Sequence, residues 1–493
     1  MNNKKLFWAF FLLCSVLTVR AQAVYNVLDF GAKGDGQTDD AAALQKAIDR
    51  CSQEGGGRVL LPRMHTFLAG PVELKSNVEL HLESTATLLC NPDESIYTLS
   101  AFGENRGEGM MWLWAKGARN LSITGRGTIH GNGIKFMGQE LTDSYELKEL
   151  RVKSSVLSDV SSADEAKPLN AQQVEDPRPH VLTLIGCDNL LIRDVTIMEG
   201  AYWTVHLVGC NVANIDGINL LNNLKIRNGD GIDLDHSKNV RISNCHITSG
   251  DDCICLKNRR EYAEYGACHD IVVTNCTLSS RSCAIKLGSE NMDNIYNVLF
   301  DNCIITGSNR GLGIQNRDEG TITDVTFSNI MMDLQLWSDV WWGKAEPIYV
   351  TSYPRADGNH KDANWRFPKG ETQGRCGAVS RIVFSNIQAT SENGCFIGGE
   401  TEEKVTDLTL QNVTLNLRRQ TTYPNGIYDR RPCKGEGFVS DRLYGIYIEQ
   451  ATGVKIEGLT VNDYLMNFAG KVKYPDKTLN PVKRLKNFIN QNK

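Results

Sequence analysis

The chain has little net charge and, past residue 23, no long apolar run. A formal charge of −5 over 493 residues removes the electrostatic reason to expect a nucleic acid or an anionic membrane as partner. The missing apolar stretch of ~20 residues leaves no transmembrane helix in the body of the chain. No Gly-Lys-Ser/Thr or Gly-x-Gly-x-x-Gly signature follows a strand, so the glycine-rich GAKGDGQ at 31–37 is no nucleotide loop. Cys253-x-Cys255 has no Cys-x-x-Cys partner. Its spacing puts both thiols on one strand face, which argues against zinc. No metal and no cofactor is expected.

What is present is ordinary globular composition, 41% hydrophobic and 23% charged, with chain enough for a large core. Lys4 and Lys5 precede an apolar run from Leu6 to Val19 and a small-x-small site at Ala21-Gln22-Ala23. That pattern predicts a secretory signal over 1–23 and a single exported domain over 24–493, periplasmic or extracellular. Fifteen cysteines in an exported protein suggest disulfides. Cys245, Cys276 and Cys303, however, stand at the same place in successive repeats (SNC, TNC, DNC). They predict mostly free, buried thiols, with one or two bridges at most.

A short pattern recurs through most of the chain: a polar residue, alternating apolar positions, then often Asn. Copies begin at Asn120, Asn189, Asn214, Asn239, Asp270, Asn297, Asp324, Arg381, Asp407 and Gly453. From Asn189 to Asp324 the starts recur at the spacing of roughly 20–30 residues that marks a solenoid. Period-2 alternation of Val, Ile, Leu and Phe means strand, and a repeat of this length holding several strands fits the same architecture. The fold expected is all-β: a right-handed parallel β-helix. Asn244, Asn275, Asn302, Asn329, Asn386 and Asn412 fit a ladder at one turn. Residues 38–52 (TDDAAALQKAIDRCS) break the pattern and predict a helix plugging the open end. Thr38 or Asp39 would cap it, and Ala42, Leu44, Ala47 and Ile48 would form its apolar stripe. Insertions at 136–180 (partly helical in pattern), 331–378 and 415–436 are expected as loops on the binding face. Trp337, Trp341, Trp342 and Trp365 in the second, and Arg418, Arg419, Arg430, Arg431, Tyr423 and Tyr428 in the third, suit sugar rings and uronate carboxylates; the alternative is that the tryptophans only pack the loops down.

The segment from Asn228 to Lys257 holds the chemistry. Asp230 precedes Asp251 by about one repeat length, with Asp252 next in line. In a coil of about that period three carboxylates gather on one face, which suits acid/base hydrolysis of a glycosidic bond, a reaction that needs at least a pair. Turn capping and calcium ligation are the structural alternatives.

Asn228-Gly229-Asp230-Gly231 resembles the Asn-Thr-Asp-Gly motif of glycoside hydrolase family 28, the polygalacturonase-like enzymes. Gly250-Asp251-Asp252-Cys253 is similar to that family's Gly/Gln-Asp-Asp-Cys. WTVH at 203–206 and the opening GAKGDGQTDDAAALQKAI are similar too. The resemblance runs over roughly residues 25–465. It implies hydrolysis with inversion, Asp251 as general acid, and Asp230 and Asp252 holding and deprotonating water. Asn228 joins the substrate site on the same ground. The chain departs from the family twice. Ser282-Cys283-Ala284 stands where the family has Gly-His-Gly, and Gly313-Ile314-Gln315 where it has Arg-Ile-Lys. Lys286, Glu290, Gln315 and Arg317 stand near the vacated places and are expected to remake the subsite. Plain galacturonan is therefore disfavoured against a rhamnose-containing or other uronate-containing linkage. Lys257 ends the second strand and can bind a carboxylate, and Trp341 and Trp342 can stack on sugar. His206 either touches substrate or is structural.

The substrate expected is a plant cell-wall polysaccharide or a fragment of one. The long insertions favour exo action. A β-helical lyase and a non-catalytic carbohydrate-binding β-helix remain as alternatives.

Overall fold

The computed structural model describes residues 23–102, 109–142, 168–174, 176–338, 340–355, 375–434, 437–465 and 467–474. The chain coils as a right-handed parallel β-helix. Twelve strands stack in one sheet: β1 (Val72–Glu73), β2 (Met110–Lys116), β3 (Pro179–Ile185), β4 (Val205–Val208), β5 (Ile232–Asp235), β6 (Ile254–Asn258), β7 (Cys283–Asn291), β8 (Arg310–Asn316), β9 (Glu346–Ser352), β10 (Cys395–Gly399), β11 (Leu443–Ile448) and β12 (Phe468–Lys473). From β4 to β9 each pairs in parallel with the next. The remaining coil strands form a second sheet of 23.

The alternation seen in the sequence becomes stacking inside the coil. Leu207, Leu234, Leu256, Leu287, Ile314 and Val350 form one inward column of the twelve-stranded sheet, all fully buried. In the other sheet Phe300, Phe327 and Phe384 stack with ring centroids 5.0 and 4.9 Å apart. One apolar core runs from Tyr25 to Ile456. A parallel coil of this kind turns its core side chains away from water, so burial of apolar area carries its stability.

The asparagine ladder forms at a turn. Asn244, Asn275, Asn302, Asn329, Asn386 and Asn412 all sit at φ between 52° and 57°, the left-handed region Asn tolerates best after Gly. The amide of Asn302 donates to Asn275, that of Asn386 to Asn329, and that of Asn412 to Asn386. One rung differs: Asn329 donates to Asp301 instead of Asn302.

Helix α1 (Ala41–Gln53) plugs the amino-terminal end with Ala43, Leu44, Ala47, Ile48 and Cys51. It starts one or two residues later than a cap at Asp39 or Thr38 would place it, and Ala43 replaces Ala42 in the buried stripe. Asp39 Oδ1 accepts from the Ala41 amide. The carboxylate of Asp40 instead takes the amides of Lys33 and Gly34, which clamps the glycine-rich loop onto the helix start.

No disulfide joins two of the described cysteines, so none of the one or two bridges allowed from sequence forms among them. In the first insertion Met137–Thr142 pairs antiparallel with Pro168–Val174; residues 143–167, most of the stretch with the partly helical pattern, lie outside the described residues. So do Trp365 and the predicted signal segment before residue 23. The second insertion is split by β9, which returns to the coil. No helix among the described residues is long and apolar enough to cross a membrane.

Candidate active site

The motif aspartates stand at the edge where the coil turns into β5 and β6. Ile232 pairs with Ile254, so Asp230 and Asp252 share a register position and Asp251 precedes it. The local coil is thus one residue longer than the separation of Asp230 from Asp251. Two glycines let these turns close. A Cβ on Gly250 would lie 2.1 Å from the Ile226 carbonyl oxygen, and one on Gly231 would lie 2.4 Å from that of Cys253. Asn222 donates to the carbonyls of Gly229 and Asp230, and Ser249 to that of Asp251. The backbone carrying the carboxylates is fixed on both coils.

One oxygen from each of Asp230, Asp251 and Asp252 can be chosen so that all lie within 4.8 Å of one another. Asp230 and Asp252 are buried, while Asp251 is partly exposed. Asp251 Oδ2 accepts from the Asn228 amide at 3.1 Å; Asn228 itself is held at φ 58°. Lys286 Nζ lies 2.6 Å from Asp252 Oδ2, and the Cys283 amide donates to Asp252 Oδ1 at 3.2 Å. Burial, then the charges of Asp233, Asp251 and Asp252, push Asp230 well above the ordinary carboxylate range. Burial and Asp252 raise Asp251 to about 6, against the pull of Lys286. Like charges gathered in a partly dry site keep a proton among them.

Deeper in the wall Lys257 Nζ contacts Asp233 Oδ1 at 2.7 Å and lies 3.4 Å from the centre of the Trp203 ring. Burial raises Asp233 to about 7 against that cation. Burial opposes the charge on Lys257, but Asp233 and its neighbours outweigh it and hold the ammonium well above its usual range.

The cleft over these groups measures about 230 Å³. Most of the residues expected from sequence line it: Asp230, Asp251, Asp252, Asn228, Lys257, Lys286, Glu290, Trp341 and Trp342. Three expected site residues are elsewhere. His206 is fully buried beside Asp235, 3.3 Å from its carboxylate, among Phe102, His180 and Trp203. Burial holds its imidazole well below the usual range, so it is a neutral packing residue. Gln315 donates to the Arg431 carbonyl. Arg317 is fully buried and points its guanidinium at the carbonyls of Arg430, Pro432 and Asn316 and at Thr351. Both hold the 430–432 segment by its backbone carbonyls, so their side chains are taken up by that loop and not by the cleft. Tyr428 is likewise buried, and Trp337 packs under Arg281 with its N–H on the Gly307 carbonyl.

Further lining positions were not foreseen from sequence: Trp203, Arg227, Gly288, Ser289 and Val340. Arg227 abuts the first motif and Trp203 lies in WTVH, so proximity to those motifs was the available signal. Nothing in the sequence marks Gly288, Ser289 or Val340.

Residues 51–337 match the family model for glycosyl hydrolases family 28. The chain is 27% identical over 424 residues to a probable polygalacturonase of Vitis vinifera, covering 82% of this chain and 76% of that one. It is 26% identical over 400 residues to an endo-polygalacturonase of Pectobacterium carotovorum, covering 78% and 85%. The crystal structure of a hyperthermoactive exopolygalacturonase from Thermotoga maritima superposes with a TM-score of 0.64 at 21% identity, covering 90% and 92%. The coil, the carboxylate cluster at its edge and these matches agree: the chain belongs to glycosyl hydrolases family 28 and is a glycoside hydrolase of the polygalacturonase type.

Proposed function

We propose that the enzyme hydrolyses, with inversion, a glycosidic bond in a pectic glycan of the galacturonate/rhamnogalacturonan type. The observation that carries this is the cluster of Asp230, Asp251 and Asp252 on the cleft floor. Asp251, partly exposed and raised to about 6, gives its proton to the leaving oxygen as the anomeric C–O bond breaks. A water held between Asp230 and Asp252 forms the new C–O bond and passes a proton to Asp252. Two hydrogen bonds of ~2.8 Å to one water span oxygens roughly 4.5–5 Å apart, which suits the 4.8 Å limit within the cluster. The acid Asp251 also has an oxygen within 4.8 Å of the other two, closer than the ~6.5–9.5 Å usual between acid and base in an inverting enzyme, so the stereochemistry is the sharpest test. Proton NMR of the first-formed product should show the anomer inverted; a retained anomer overturns the mechanism.

The polygalacturonase names of the relatives support a pectic substrate. The cationic Arg227 in the cleft lining supports an acidic one. Val340, Trp341 and Trp342 rise beside the carboxylates and support attack from a chain end. A panel of pectic oligosaccharides with defined ends should release one small product from the start of the reaction; random mid-chain fragments would refute exo action. The lyase alternative fits less well. A lyase base must be neutral, and Lys257 sits on a buried carboxylate that keeps it charged. An unsaturated product absorbing in the ultraviolet would restore it. Export is supported by the leader-like pattern at 1–23. Amino-terminal sequencing of the secreted protein tests it, with cleavage expected directly after Ala23.

A further inference from the structure

Asp252 needs a partner that this chain supplies in its own way. The register neighbour of Asp252 on β7 is Cys283, whose amide donates to Oδ1 and whose buried thiol turns to the carbonyls of Ile285 and Gly311. No histidine stands there. Three residues on, Lys286 pairs in register with Cys255 on one side and Gly313 on the other. Its stem is buried, and its ammonium ends 2.6 Å from Asp252 Oδ2. Gly313 puts no side chain over it.

We propose, resting on the functional reading above, that Lys286 is a positioning residue. Its ammonium fixes Asp252 in the orientation and charge needed to take the proton of the attacking water, in place of a neighbouring histidine. Asp252 is then bonded on both oxygens, by the Cys283 amide and by Lys286, so its carboxylate has one orientation. A charged donor at 2.6 Å is among the stronger hydrogen bonds a carboxylate can accept. The charged and titratable groups around Lys286 are Asp252, Asp251, Asp233, Lys257, Cys255 and Cys283. The carboxylates attract it and Lys257 opposes it. The ring of Trp342 covers the ammonium from the cleft at 5.5 Å, which limits its use as a ligand for substrate.

The test compares Lys286→Met and Lys286→Arg in the full chain, with thermal midpoints recorded for both. For Met we expect kcat to fall roughly 100-fold with little change in KM. The acidic limb of the kcat profile should move up by about one pH unit. Arg should restore the limb and most of the turnover, because it keeps the charge at the same reach. A KM rise with kcat and limb unchanged would overturn the proposal and make Lys286 a substrate ligand. Loss of both in a folded Arg variant would also overturn it. A second measurement needs no substrate: crystal structures of the parent and the Met variant. The Asp252 carboxylate should hold its orientation only while Lys286 Nζ is on Oδ2, and a carboxylate unmoved in the Met variant refutes the role. Wild-type enzyme silent on every pectic glycan would instead refute the functional reading, leaving those structures to judge Lys286.

Discussion

The floor of the cleft and its wall are built on opposite principles. The floor is coil: Asp230, Asp251 and Asp252 ride on turns whose positions follow from strand register. The wall is insertion, and it is pinned by charge. Arg310 reaches both oxygens of Glu346 at 3.2 Å and the Asp429 carbonyl at 3.0 Å. Glu346 accepts from the Lys344 amide, and Asp429 takes the Gly343 amide and the Arg431 guanidinium. This buried network ties the 340–345 segment, with its tryptophans, to the 427–431 segment far along the chain. A repeat can carry acidic groups at its edge because its own stacking holds them. A loop must bring its own fastening.

If the floor is chemistry and the wall is architecture, one substitution on each should separate the two. Asp251→Asn on the floor should cost about 10³-fold or more in kcat while the protein stays folded. Reducing-end release and circular dichroism check it; near-normal turnover would leave the floor without its general acid.

Glu346→Gln, on the coil strand to which the wall is fastened, should act the other way. It leaves the Arg310 guanidinium buried without its counter-charge, which costs about 3–5 kcal/mol. A matching drop in denaturant midpoint is expected, with kcat falling far less than in Asp251→Asn. Equal stability of the variant and the parent would show that the network fastens nothing.

The floor also strains the fold, and pH exposes that. Asp251 is raised to about 6 from 3.8, so between those values the folded chain holds more proton than the unfolded one. Stability should therefore fall as pH rises from about 4 to about 6, by roughly 2 kcal/mol for this group after allowance for its partial exposure. Asp230 and Asp233 shift in the same direction and add to the slope. Asp251→Asn should flatten it, leaving the variant more stable than the parent at pH 7 and little different at pH 4. Thermal midpoints across that range check this; parallel curves would deny the cluster its strain.

The same contrast explains what was legible in the sequence. The coil and the carboxylates were, because both depend on spacing along one strand path: alternating Val, Ile and Leu, the Asn at each turn, the two Asp motifs. Even so, spacing alone hid that Asp252 and not Asp251 stacks on Asp230. The wall was legible only in part: Trp341 and Trp342 were expected at the cleft and line it, but what fastens them was not. Gln315 and Arg317 stand near the family's missing basic positions in sequence, but their side chains are taken by a loop that arrives much later in the chain. His206 lies one coil from Asp230 yet faces an aromatic cluster. Such outcomes depend on which distant segment covers a strand end, and local pattern carries no record of that.

The smallest expected effect lies where wall meets floor. Trp342 is partly exposed, its backbone carbonyl held by Asn309 at 3.3 Å, and its ring lies 5.5 Å from Lys286 Nζ. A ring held by its backbone and open on one face suits stacking on a sugar. Trp342→Ala should then raise KM roughly tenfold, a loss of about 1.4 kcal/mol, with kcat within about threefold and the thermal midpoint little moved. Should kcat fall as far as KM rises, the ring acts through Lys286 on Asp252, and the wall takes part in the chemistry that the coil otherwise carries alone.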